Sequence, residues 1–160
     1  MLIDSRDPET RERLNLDALP PYGVKPRPEG DRVVYVVWNF KTDTLASGIF
    51  PDRSDAFIWM DKLNAVAKAG LKVYDMDDCT WYAAVTVEDA KRQYIADMGE
   101  ESWDFDEGYP RELDDEEMAR LEYVADPYKR PEDKEPFRNA LAHMLAEGKE
   151  FPRFFATTEY

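Results

Sequence analysis

The feature that most constrains the fold is an unbroken run of β-branched and aromatic residues, VVYVVWNF, at positions 33–40. Such residues favour strands, and a continuous apolar pattern, unlike an alternating one, indicates a strand buried on both faces. A polar turn at 41–44 leads to a second predicted strand at 45–50. Apolar residues then recur at helical spacing from 56 to 67, ahead of Gly70, which is placed for a left-handed C-cap. The sequence therefore predicts a ββα unit.

Six further elements are predicted from the same kinds of pattern. They are strands at 71–74 and 80–86, a helix at 87–98, a helix from Asp114 to Asp126, a helix from Pro136 to Gly148, and a strand at 151–157. Thr86 and Asp114 are the expected N-caps, and Pro152 favours a sheet edge for the last strand. Short turns between strands favour an α+β fold class, with a mainly antiparallel sheet of about five strands and three to four helices packed against one face.

The N-terminal 32 residues differ in composition from the rest of the chain. They contain five of the 11 prolines, and proline fixes φ and removes a hydrogen-bond donor. We therefore expect residues 1–32 to be an extended, Pro-rich N-terminal arm, and residues 33–160 to be a single α+β domain of ordinary size.

Negative charge is concentrated in one segment. The chain has 35 acidic and 21 basic residues, a net charge of −14. Residues 97–126 hold 13 of the acids and only two bases, Arg111 and Arg120, so they carry −11 of this total. Such asymmetry indicates an interaction surface or a solvated acidic segment. It argues against direct nucleic-acid binding, because phosphate contacts require an excess of Lys and Arg.

The sequence shows no pattern typical of an enzyme or a cofactor site. His143 is the only histidine, and the lone cysteine, Cys79, follows acidic residues that disfavour a reactive thiolate. No zinc or calcium-loop spacing and no Gly-rich phosphate loop is present, so we expect no metal and no cofactor. The chain also lacks a membrane-length apolar run and an apolar secretion signal. These features predict a non-enzymatic cytoplasmic protein, without membrane contact.

The acidic segment provides the candidate binding residues. A helix over 112–126 would span about 22 Å at ~1.5 Å per residue, and its seven carboxylates would be spaced about 3 Å apart, close to the ~3.4 Å phosphate spacing of one DNA strand. Nearby aromatic residues would add the anchors that interfaces favour. The predicted partner-binding residues are Trp103, Asp104, Asp106, Glu107, Tyr109, Asp114, Asp115, Glu116, Glu117 and Glu122.

Several motifs in residues 81–160 carry a resemblance to a group of proteins. They include Trp81-Tyr-Ala-Ala, Leu113-Asp-Asp-Glu-Glu-Met and the C-terminal Phe155-Ala-Thr-Thr-Glu-Tyr160. In these motifs the chain resembles small acidic proteins encoded in phages and mobile elements. It is also loosely similar to acidic antirestriction proteins that mimic DNA. The resemblance implies a phage or mobile-element protein, with no established activity and no assigned functional residue.

These observations support one main hypothesis and two alternatives. The main hypothesis is a protein that binds and inhibits a host nucleic-acid-handling or defence protein, by presenting a DNA-mimic-like acidic surface to a basic surface of that protein. The first alternative is an intracellular adaptor or structural protein, as a homo-oligomer or with other partners, that binds through aromatic residues. The second is an acidic immunity or antitoxin protein that neutralises a basic nuclease.

Overall fold

The computed structural model describes residues 19–99 and 104–158, with the side chain of Ser47 left out. The chain divides between Ala67 and Lys68 into two compact units. Each unit has its own antiparallel sheet. Predicted site residue Trp103 and residues 1–18 of the predicted arm lie outside the described residues.

The first unit is built on a three-stranded antiparallel sheet. Its strands are β1 (Tyr22–Glu29), β2 (Arg32–Asn39) and β3 (Thr44–Phe50), in the order β1-β2-β3, followed by helix α1 (Arg53–Ala69). The ββα prediction is confirmed, and β2 is the central strand as its continuous apolar pattern requires. Part of the predicted arm, residues 22–29, is extended and pairs with β2 along its whole length.

Two local features hold β1 in place. Glu29 pairs directly with Arg32, so the connection is a two-residue turn, and its Gly30 adopts the positive φ of +62° that such turns require. At the other end of β1, Tyr22 exchanges two hydrogen bonds with the side chain of Asn64 in α1, with distances of 3.0 and 3.1 Å. The prolines of β1 are tolerated because β1 is an edge strand.

The second unit contains the remaining elements. They are β4 (Lys72–Asp75), β5 (Thr80–Ala84), α2 (Val87–Met98), β6 (Arg111–Glu112), α3 (Asp115–Arg120), β7 (Glu122–Val124), β8 (Lys134–Pro136), α4 (Phe137–Ala146) and β9 (Arg153–Thr157). Four strands form an antiparallel sheet in the order β6-β4-β5-β9, and β7 pairs with β8 in a separate two-stranded sheet. The predicted edge position of the last strand is confirmed.

The α+β class with antiparallel sheets is confirmed, but two details differ from the prediction. Within the described residues the strands are divided among three sheets, with no single sheet of about five. Helices also cover both faces of the four-stranded sheet: Trp81 contacts Phe137 of α4, whereas its neighbour Tyr82 contacts Tyr94 of α2. Successive strand residues point to opposite faces, so the expectation of helices on one face only was wrong.

The predicted acidic helix is much shorter than expected. It begins at Asp115, directly after the predicted N-cap Asp114, but it ends at Arg120, and residues 122–124 form strand β7. The apolar stripe of this segment is thin, and pairing of Tyr123 with Glu135 of β8 satisfies the backbone instead. Tertiary pairing has overridden local helix propensity.

Candidate functional site

The turn between β4 and β5 gathers three carboxylates. Asp75 is buried, and its Oδ1 accepts a hydrogen bond of 2.8 Å from the backbone N–H of Asp78, which has a positive φ of +72°. Asp77 accepts hydrogen bonds from the backbone N–H and the thiol of Cys79, at 3.1 and 3.3 Å, and from the hydroxyl of Tyr94, at 2.9 Å. The turn is therefore a fixed structure that presents negative charge.

Arg111 links this turn to helix α3. Its guanidinium donates two hydrogen bonds to Glu117, at 3.0 and 2.8 Å, and lies 3.5 Å from Asp75. These contacts join β4, β6 and α3, because each of the three residues belongs to a different element. Arg111 is one of the two basic residues in the acidic segment, and it pairs with Glu117 of that segment and with Asp75 of β4.

The environment shifts the pKa values of these carboxylates in opposite directions. Burial raises the pKa of Asp75, although Arg111 and backbone N–H groups partly offset it. Burial would also raise the pKa of Asp77, but hydrogen bonds from Cys79 and Tyr94 outweigh it and lower the pKa. Hydrogen bonds from Arg111 and from the backbone N–H of Asp114 lower the pKa of Glu117.

The loop at residues 104–110 is anchored beside the same turn. Phe105 is half-buried, with its ring centroid 5.5 Å from that of Tyr94. Desolvation, together with the negative charges of Asp78 and Asp75, raises the pKa of Tyr109. Leu113, which directly follows β6, is buried. Its backbone N–H donates a hydrogen bond of 2.9 Å to the carbonyl of Val73. The loop is therefore held in place by Phe105 near its start and by Leu113 just beyond its end.

The start of α3 is held by its N-cap. The Asp114 side chain accepts a hydrogen bond of 2.8 Å from the backbone N–H of Glu117, and the Glu117 side chain accepts one of 3.0 Å from the backbone N–H of Asp114. This reciprocal capping box confirms the predicted cap. Acidic side chains in this first turn are also favoured by the positive end of the helix dipole.

The predicted site residues fall into distinct groups. Six carboxylates are exposed and make no salt bridge within the described part of the chain: Asp104, Asp106, Glu107, Asp114, Asp115 and Glu116. Two are paired, Glu117 with Arg111 and Glu122 with Lys134 at 3.1 Å. Tyr109 is half-buried beside the β4–β5 turn. We call the six unpaired carboxylates, together with Asp77 and Asp78, the acidic face.

The structure does not support a regular array of charges along 112–126. Glu112 in β6 pairs with Lys72 at 2.6 Å, and Glu122 lies in β7 and pairs with Lys134 in β8. Among the described residues, the carboxylates of this array that make no salt bridge are Asp114, Asp115 and Glu116 in its middle and Asp126 at its end. The expected phosphate-like spacing over about 22 Å is therefore wrong, because the helix that would have produced it is only six residues long.

Sequence reasoning missed the contribution of the β4–β5 turn. The sequence shows that Asp75, Asp77 and Asp78 form a cluster. It does not predict that this cluster lies close to residues 104–117, because the two segments are far apart in the chain. The antiparallel pairing of Asp75 with Arg111 brings the two segments together. Within the described residues, no group of three or more His, Cys, Asp or Glu side chains is arranged to hold a metal ion.

A second feature of this unit is a cleft of about 330 Å³ lined by aromatic residues. One wall is residues 121–125 and the other is residues 154–158, with Trp81 and Phe137 between them. Rings contact one another along it: Phe137 lies 5.4 Å from Trp81 and 4.9 Å from Phe155, and Tyr123 lies 5.4 Å from Phe155. At its rim, Tyr128 is 80% exposed and Phe154 is 44% exposed. We call this feature the aromatic cleft.

Comparisons of the chain with protein-family models, with curated proteins and with solved structures gave no match. The resemblance to acidic phage and mobile-element proteins therefore remains a prediction. Among the described residues, no helix is long and apolar enough to cross a membrane.

Proposed function

We propose that this chain is a non-enzymatic interaction protein that binds a basic surface of another protein through its acidic face. The single observation that carries the proposal is the set of six exposed carboxylates at 104–116 without a salt bridge within the described residues. Their backbone is held by Phe105, Leu113 and the capping box. A preorganised group of like charges attracts a cationic partner at long range and lowers the entropy cost of binding it.

The proposed partner class is a host protein that handles nucleic acids or acts in defence, and the proposed outcome is inhibition. A groove that binds phosphates is lined by Lys and Arg, so it is a natural target for a fixed acidic face. The resemblance to phage and mobile-element proteins favours the same partner class. In this proposal the acidic face competes for the groove by its charge, and it does not reproduce the regular spacing of a DNA strand.

Two charge-reversal variants with the same net charge provide the test. The first replaces Asp106, Glu107 and Glu116 with lysine, all within the acidic face. The control replaces Glu132, Glu147 and Glu150, which are exposed acids outside it. Neither set includes Asp114 or Glu117, because the capping box depends on them.

Each variant is used to capture proteins from host lysate at about 0.05 M and about 0.5 M salt, since screening weakens surface electrostatics over this range. We expect the native chain and the control to capture the same basic protein at low salt and to lose it at high salt. The acidic-face variant should fail at both concentrations. Equal capture by the two variants would contradict the proposal, as would capture that is insensitive to salt.

The aromatic cleft favours a second candidate function, an adaptor that binds through apolar contacts. Exposed aromatic residues such as Tyr128 and Phe154 are typical of binding surfaces. Binding of this kind would change little between low and high salt. An immunity or antitoxin role has the same electrostatics as the main proposal, and identification of the captured protein as a nuclease would distinguish it.

A further inference from the structure

The lining of the aromatic cleft is rich in rings and poor in charge. Six of its fourteen described residues are aromatic: Trp81, Tyr123, Tyr128, Phe137, Phe154 and Phe155. Glu122 is the one charged side chain among these fourteen residues, and it is paired with Lys134 at 3.1 Å. The described lining therefore offers no unpaired charge to a bound molecule, whether that molecule is an anion or a cation.

One polar group of the lining lacks a partner. Trp81 is 7% exposed, and its indole N–H is buried and makes no hydrogen bond within the described residues. Buried donors are almost always paired, because an unpaired donor gives up its hydrogen bonds to water and gains nothing in exchange. Since Trp81 is part of the cleft lining, a molecule in the cleft that carries an acceptor would supply the missing hydrogen bond.

The size of the cleft limits the molecule further. Its volume of about 330 Å³ lies at the lower end of the range of roughly 300–1,000 Å³ that is typical of small-molecule pockets. We therefore expect one or two fused rings with short substituents. Flat rings pack well against aromatic side chains in edge-to-face contacts, the arrangement that Phe137 already has with Trp81 and Phe155.

We infer that the aromatic cleft binds a small, uncharged, planar aromatic molecule that carries a hydrogen-bond acceptor, with the indole N–H of Trp81 as the donor. The rings of the lining supply the apolar contacts, and the N–H selects for the acceptor. Because the indole nitrogen is shielded from solvent, the molecule has to enter between the lining rings, and Tyr128, which is 80% exposed, can rotate to admit it.

This inference goes beyond the proposed function and is independent of it. No residue of the acidic face lines the cleft, so a small molecule bound there would leave the acidic face accessible to its partner. Failure of one proposal would not affect the other.

The probe is 1-indanone, a planar bicyclic ketone, and it is compared with indane, which has the same ring system without the carbonyl. Each is titrated into the full chain near neutral pH and followed by proton–nitrogen NMR. We expect 1-indanone to bind about fivefold more tightly than indane, because only the ketone accepts a hydrogen bond. The ketone should also move the indole N–H signal of Trp81 downfield, whereas indane should not.

A charged relative of the probe tests the predicted neutrality of the ligand. We expect 1-indanone-5-carboxylate to bind about tenfold more weakly than 1-indanone, because a desolvated carboxylate would find no cation in the lining. Equal or tighter binding of the carboxylate would contradict this part of the inference.

Three variants locate the site. Trp81→Phe keeps a ring but removes the N–H, so 1-indanone and indane should then bind with equal affinity. Tyr128→Ala removes an exposed ring at the rim and should weaken the binding of both probes about fivefold. The matched control, Phe40→Ala, removes an exposed ring from the first unit and should leave both affinities unchanged.

Three further results would overturn the inference. They are the absence of 1-indanone binding, NMR shifts confined to residues outside the cleft, and equal affinity of the native chain for 1-indanone and indane. The last result would assign the cleft to apolar side chains of a partner protein, as in the adaptor candidate. If Trp81→Phe does not fold, the Trp81 signal of the native chain and the Tyr128→Ala variant still decide the outcome.

Discussion

Arg111 and Glu117 form a bidentate pair, in which the guanidinium donates two hydrogen bonds of 3.0 and 2.8 Å to the carboxylate. Glu117 also closes the capping box of α3, and Arg111 lies 3.5 Å from the buried carboxylate of Asp75. The pair therefore fixes the first turn of α3 against the β4–β5 turn. Both elements carry carboxylates, and Arg111 places one positive charge in contact with each of them.

We predict that Arg111→Met destabilises the protein and that Asp75→Asn reduces this loss. Without Arg111, the nearly buried Asp75 carboxylate keeps its backbone hydrogen bond but loses its only cation within the described residues. We expect a decrease of about 1–3 kcal/mol in the free energy of unfolding, measured in urea. In the Asp75→Asn background, Arg111→Met should lower the free energy of unfolding by about half as much. Equal costs in both backgrounds would show that the two side chains are not coupled.

The pKa of Glu117 predicts a specific dependence of stability on pH. Because this pKa is lower in the folded protein than its ordinary value of 4.5, the ionised side chain stabilises the fold above that value. The contribution is lost as the pH falls from about 4.5 through the lowered pKa. Glu117→Gln retains a capping-box acceptor but removes the charge, so we expect a loss of about 1 kcal/mol at pH 7.

The measurement is the difference in unfolding free energy between the native chain and Glu117→Gln across this pH range. The difference should shrink towards zero as the pH falls below the lowered pKa of Glu117, where the native side chain is protonated. A difference that does not change across this pH range would refute the assignment.

Asp114 has a capping role that can be separated from its charge. Asn caps a helix about as well as Asp, whereas Ala does not. We expect Asp114→Ala to lower the free energy of unfolding by about 1 kcal/mol and Asp114→Asn to change it by only a few tenths. Thermal or urea unfolding of both variants is the measurement. If the two variants are equally destabilised, the negative charge at the helix N-terminus matters more than the cap hydrogen bond.

Tyr94 is predicted to control the acidity of Asp77. Its hydroxyl donates to Asp77 at 2.9 Å, and this bond is among those that lower the pKa of the carboxyl. Tyr94→Phe removes the bond and keeps most of the ring packing against Tyr82 and Phe105. NMR titration of the Asp77 carboxyl carbon should give a higher pKa in the variant. An unchanged value would mean that the hydrogen bonds from Cys79 and Thr80 account for the shift.

Much of the local structure was predictable because short-range rules decide it. The strand at 33–40 follows from its β-branched content, and the Thr86 cap accepts from the backbone N–H of Asp89 as predicted from spacing alone. Gly99 ends α2 with a φ of +75°, where a side chain would be strained. Each of these features depends on a few neighbouring residues, so the local sequence is sufficient to predict it.

The candidate site was only partly predictable. The excess of negative charge at 97–126 is a property of the sequence, and six of its carboxylates at 104–116 are exposed without a salt bridge among the described residues. Which of them stay unneutralised was not predictable, because Lys72 and Lys134 reach Glu112 and Glu122 only through strand pairing. The aromatic cleft was missed for the same reason, since its walls come from segments about 30 residues apart.

The sequence by itself therefore determined the strands, the caps and the concentration of negative charge, because these depend on composition and on contacts between near neighbours. Only the tertiary structure decided where the acidic helix ends, which carboxylates are paired, and that Asp75 meets Arg111 across β4 and β6. Those outcomes depend on long-range strand pairing. Pairing satisfies backbone hydrogen bonds between distant segments, and it overrides the weak helix preference of residues such as Glu122 and Tyr123.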